Sequence, residues 1–194
     1  MTTQNLILAS SSRYRRKLLE KLHLPFVAEA ADIDETAHPG ERPERQAVRL
    51  AQEKAQALSG RYPHSLIIGS DQVAVLQGRQ LTKPGSFAVT MEQLQAVAGQ
   101  AVEFYTGICL VDSDTGQYEC AMDRCTVHFR ALTDRQIKRY VQREKPYDCS
   151  GGFKSEGLGI ALFERITGDD PNALVGLPLI KLVGLLEKFG VSVL

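Results

Sequence analysis

Short apolar runs alternate along this chain with stretches of helical period, and that alternation points to the α/β class. Residues 5–9 (NLILA) read as a buried strand. The three serines that follow read as helix caps, and residues 14–22 as a helix whose Leu18, Leu19 and Leu22 share one face. A strand is expected at 26–30, an acidic, turn-rich segment at 32–43, and a helix at 44–59, where Val48, Ala51, Ala55 and Leu58 recur at helical spacing before Gly60. Residues 66–69 form a second apolar run ending in Ser70-Asp71-Gln72, with a further short strand at 73–76 and a turn at Gln77-Gly78. Helical period returns at 87–98, while 102–111 and 118–130 flank a turn at 113–116 and read as an antiparallel hairpin. Thr133 and Gln136 make a capping box for a helix to about Arg143. Beyond Pro146, the glycine-rich 151–159 precedes a short strand at 160–163, and a last helix covers 178–189. With no internal repeat or linker, the pattern predicts one α/β domain over 1–194.

Charge and cysteine usage narrow the function. The 23 basic residues balance 23 acidic ones, so no general field favours nucleic acid or an anionic membrane, and any anion site has to be local. No apolar run reaches the length of a membrane span. Met1 to Asn5 lacks the basic start and apolar stretch of a secretory signal, so a cytoplasmic location is expected. Cys109, Cys120, Cys125 and Cys149 match no zinc or disulfide framework, and four reduced thiols are the plain expectation. His23, His38, His64 and His128 are scattered without metal-ligand pairing.

Polar groups gather where elements end. In LASSSRYRRKLL, a serine-rich turn after a strand, with Arg15 and Arg16 following, suits either a phosphate or an ordinary helix cap. Asp32-Ile33-Asp34-Glu35-Thr36 offers carboxylates to a hard cation, or forms a solvated acidic loop. Lys54 stands in a helix, and Lys83-Pro84 in a rigid turn. Asp71 ends an apolar strand, a position that fits a catalytic group and a turn cap equally well. Lys154 and Glu156 sit within the glycine-rich loop.

Taken in order, LASSSRYRRKLL, DIDET, RLAQEKA, IIGSDQV, TKP, GGFKSEGLG and NALVGLPL resemble the motifs of the Maf family of nucleotide pyrophosphatases, from Leu6 to about Leu179. The resemblance implies a mixed α/β fold similar to that of the inosine triphosphatases, with two lobes around a central nucleotide-binding cleft. It also implies metal-dependent hydrolysis of nucleoside triphosphates to monophosphate and pyrophosphate, with Mg or Mn as the cation. Its motifs map onto Asp71 as proton acceptor, Ser10, Arg15, Lys54 and Lys83 as substrate ligands, and Glu35 as metal ligand. Tyr14, Gln72 and Glu156 look like the branch that prefers 7-methyl-GTP; the branch taking dTTP and UTP typically has arginine, threonine and glutamine there. A pyrophosphatase for UTP, dTTP or CTP, and a nucleotide-binding regulator of cell division, are the alternatives. The partner implied is a small nucleotide, with no nucleic acid or membrane, and a homodimer stays open. Arg13 in place of proline, Tyr14 in place of tryptophan and Thr82 in place of glycine depart from the pattern without removing a charged group.

Overall fold

A computed structural model describes residues 5–194; apart from Asn5, the reading of the amino terminus lies outside the described residues. Seven strands are described: Asn5–Ala9 (β1), Val27–Glu29 (β2), Ser65–Leu76 (β3), Arg79–Leu81 (β4), Ala101–Asp112 (β5), Tyr118–Phe129 (β6) and Phe163–Thr167 (β7). They form one mixed sheet in the order β2-β1-β3-β5-β6-β7, with β4 paired to β3. Five α-helices accompany them: Arg13–Leu19 (α1), Pro43–Ser59 (α2), Phe87–Val97 (α3), Asp134–Glu144 (α4) and Leu179–Lys188 (α5). The chain divides into two compact units, and β3, β5 and β6 each carry it from one to the other.

The first unit comprises the residues up to Gln72, Tyr105–Asp123 and Asp170–Leu194. Here β1 lies parallel to both β2 and β3, with Ile7 opposite Val27 on one side and Ile67 on the other. Successive strand residues face opposite ways, and the apolar runs sort accordingly. Leu6, Leu8, Leu66, Ile68, Ile108 and Leu110 pack with Leu18 and Leu19 of α1 and with Leu182, Leu185 and Leu186 of α5. Their neighbours Ile7, Ala9, Ile67, Cys109 and Val111 pack with Ala51, Ala55 and Leu58 of α2. Strands apolar on both faces therefore lie between helices, as a parallel sheet requires.

The second unit comprises Val73–Phe104 and Arg124–Asp169. Phe104, Phe129, Phe153 and Phe163 meet edge to face at centroid distances of 5.0 to 5.5 Å, the geometry that ring quadrupoles favour. The capping box forms as expected, Thr133 accepting from the Gln136 amide and Gln136 from that of Thr133.

Three expectations are corrected. The break anticipated at residues 70–72 does not occur, because side chains and nearby carbonyls satisfy that polar triplet within one continuous β3. The strand expected at 160–163 begins only at Phe163, since 158–162 winds as a 3₁₀ turn. Cys109 and Cys120 are joined as a disulfide, with Cα atoms 4.0 Å apart, while Cys125 and Cys149 are free. The β5–β6 hairpin register brings that pair together, which a count of cysteine spacings does not read.

No helix among the described residues is long and apolar enough to cross a membrane.

Candidate active site

The site begins with two glycines. A Cβ at Gly69 would lie 1.9 Å from the Ala51 carbonyl oxygen, and one at Gly107 2.2 Å from that of Ala47. Helix α2 therefore rests directly on the backbones of β3 and β5, closer than any larger residue permits. From that position Lys54, one turn beyond Ala51, meets Asp71, which lies two residues beyond Gly69 on the same face of β3. Its Nζ donates to Asp71 Oδ1 at 2.6 Å and lies 2.6 Å from Glu35 Oε1. Lys54 and Asp71 are buried and Glu35 is exposed, so one ammonium holds an inner and an outer carboxylate together.

The segment leading into α5 supplies the second half of the framework. Gly176, at φ +109°, turns its carbonyl to accept from Arg15 Nε at 2.8 Å and from Ser70 Oγ at 2.9 Å. A Cβ there would lie 3.3 Å from Arg15 Nε. Arg15 Nη1 also reaches Ser10 Oγ at 3.4 Å, and Ser10 accepts from the Ser12 amide. Burial pushes the Arg15 pKa down, and the charges of Asp71 and Glu35 oppose that shift. Arg15 therefore lies within the electrostatic reach of the Lys54 cluster. Gln72 Nε2 donates to Thr106 Oγ1 and to the carbonyls of Ala173 and Leu174 at 2.9 to 3.1 Å. That commits its amide nitrogen to the protein and leaves the oxygen end for a donor. Asp170, buried, holds the segment by accepting from Asn172 N, Asn172 Nδ2 and Ile180 N.

The sequence-derived residues are thus distributed unevenly. In the first unit Lys54 joins Asp71 and Glu35, Arg15 joins Ser10 and the Gly176 carbonyl, and Gln72, next to Asp71 on β3, bonds to Thr106 and the carbonyls of Ala173 and Leu174. Tyr14 is next to Arg15 on α1, half-buried, with the Arg13 guanidinium 4.8 Å from its ring centroid. The α1 amino terminus is capped by its own Ser12, which accepts from Arg15 N. Lys83 and Glu156 belong to the second unit, both exposed, Lys83 in the loop between β4 and α3 and Glu156 in a turn. Beside Glu156, Lys154 Nζ donates to the Glu144 carbonyl at 2.6 Å and fastens the glycine loop to α4.

Reading the motifs passed over Thr106, Asp170 and Gly176, which act by holding others. The NALVGLPL match could have flagged Gly176, a glycine before Leu-Pro, and Asp170-Pro171 just ahead of it is likewise a turn-forming pair.

Among the described residues no group of three or more His, Cys, Asp or Glu is placed to hold a metal ion. Glu35 and Asp71 nonetheless converge on one cation, the Lys54 ammonium. Two carboxylates completed by phosphate oxygens are a donor set that a hard divalent ion takes, so these residues fit one.

A family model described as Maf-like protein matches residues 5–189. Curated relatives named 7-methyl-GTP pyrophosphatase include one from Nitrosococcus oceani, 53% identical over 97% of this chain and 95% of its own. Another, from Vibrio cholerae, is 50% identical over 100% of both. A solved HAM1 protein from Coxiella burnetii superposes over 96% of this chain and 100% of its own, with a TM-score of 0.53 at 14% identity, which shows a shared fold alone. On the span of the family match and the identity of these relatives, the chain belongs to the Maf family.

Proposed function

We propose that this chain hydrolyses 7-methyl-GTP between its α and β phosphates, yielding 7-methyl-GMP and pyrophosphate. The observation that carries the reading is the buried Lys54–Asp71 pair with Glu35 on the same ammonium; the printed names of the curated relatives support it. Asp71 takes a proton from water as the water oxygen bonds to the α phosphorus. The bond from that phosphorus to the bridging oxygen breaks, and pyrophosphate departs with the electron pair. Arg15 and Lys54 offset the phosphate charge, and Ser10 offers its hydroxyl. A Mg or Mn ion held by Glu35, with Asp71 as the nearest second carboxylate, would supply further charge neutralisation.

Lys83 as a phosphate ligand and Glu156 as a base-recognising carboxylate are assigned on the motif match. Methylation at N7 puts positive charge on guanine and strengthens its ring N–H as a donor, which suits a carboxylate partner and stacking on Tyr14. A free nucleotide substrate fits a cytoplasmic location, where the Cys109–Cys120 bond would meet reducing conditions.

Hydrolysis in ¹⁸O-labelled water tests the bond choice. The label is expected in the monophosphate, with pyrophosphate as the other product. Diphosphate and orthophosphate as first products would overturn the scheme.

A further inference from the structure

Residues 30–42 contain neither helix nor strand, yet they deliver Glu35 to Lys54. Within the loop the hydrogen bonds are local: Asp34 Oδ1 accepts from Thr36 N and Oγ1, and Glu41 Oε2 accepts from His38 N. Arg49 of α2 ties the loop to the fold. Its Nε and Nη2 donate to the two oxygens of Glu41 at 2.7 Å each, and Nη2 also reaches the Thr36 carbonyl at 3.2 Å. Nη1 donates to Glu53 one turn along the helix at 3.1 Å. Arg49 and Glu41 are only 18% and 9% exposed at their side chains, unlike the long, mobile pairs that contribute little. The Arg49 hydrogen bonds hold the Glu41 carboxyl at about 2, well below the usual range. A guanidinium is suited to this task, because its planar fork meets both carboxylate oxygens while a third nitrogen stays free for another acceptor.

Both holds fall on the carboxyl-terminal side of the functional residue, at Thr36, which directly follows Glu35, and at Glu41. The same helix carries Lys54, which receives Glu35. We infer that Arg49 is a positioning residue for Glu35, pinning the 30–42 loop to α2 through Glu41 and the Thr36 carbonyl so that the Glu35 carboxylate is held in place for a divalent cation. The last clause rests on the proposed function; the pinning does not.

Hydrogen exchange measured by mass spectrometry on the full chain separates the two. In R49A and in the nearly isosteric E41Q, exchange of peptides covering 33–41 is expected to rise about tenfold, with α2 and β3 unchanged and R49K intermediate. In a magnesium titration at saturating 7-methyl-GTP, half-saturation is expected to rise about tenfold, the scale on which outer partners of a metal ligand act, while KM for nucleotide at saturating magnesium stays near the wild-type value. Unchanged exchange over 33–41 in both variants would overturn the inference, as would faster exchange with an unchanged magnesium requirement. E41Q carries the test if R49A does not fold. A wild-type chain inactive on every nucleotide would refute the proposed function, and the exchange result would still decide whether Arg49 pins the loop.

Discussion

Taking Lys54 and Asp71 out of water costs several kcal/mol per ion, and such pairs often add no net stability over apolar packing. A buried ammonium flanked by two carboxylates is therefore better explained by chemistry at phosphate than by folding. Asp71→Asn is nearly isosteric, so the chain should fold and still bind nucleotide while kcat drops by at least ~10²-fold, the lower scale for a positioned base. Turnover close to wild type would move the base to Glu35. For the proposed base-recognising role, Glu156→Gln keeps size and removes charge. Its kcat/KM for 7-methyl-GTP is expected to fall about tenfold or more, with a smaller loss on UTP and dTTP. Equal losses on both classes, measured in parallel, would show that Glu156 serves catalysis or folding instead.

At the scale of elements, what places the chemistry is the seating of α2 on β3 and β5 at Gly69 and Gly107. Gly69→Ala forces the helix outward and should cost roughly 2–3 kcal/mol or more in a denaturant titration, as overpacking does. Gly60→Ala, where an added Cβ meets nothing within 4 Å, should leave the midpoint nearly unchanged. Equal midpoints for the two variants would remove the close approach from the explanation.

Periodicity made α2, α3, α4 and α5 legible, because each buries one apolar stripe, and both faces of β1 and β3 showed in their unbroken apolar runs. Asp71 was wrongly read as a strand end, since β3 runs on through it to Leu76. A polar triplet looks like punctuation until its partners are known, and those partners, among them Lys54, Gly107, Ala173 and Gly176, are 17 to 106 residues away in sequence. The Arg49–Glu41 clamp was hidden for a different reason. Both residues look like ordinary surface charges on a helix and a loop, and only the folded loop shows them facing each other. The Cys109–Cys120 bond depends on hairpin register, which spacing alone does not supply.

At the scale of the molecule, basic and acidic residues cancel, so affinity for a triphosphate has to come from where individual charges stand and not from a long-range field. The backbone is equally permissive, since a HAM1 protein shares the fold at 14% identity, and function lies in side chains grafted onto a fold. On the proposed reading, Tyr14, Gln72 and Glu156 bear the question of which nucleotide is hydrolysed. The most direct measurement is kcat/KM for pyrophosphate release from 7-methyl-GTP, GTP, UTP, dTTP and CTP with magnesium or manganese. The value for 7-methyl-GTP should exceed each of the others by about tenfold or more. A maximum on UTP, dTTP or CTP, or no pyrophosphate from any of the five, would contradict it.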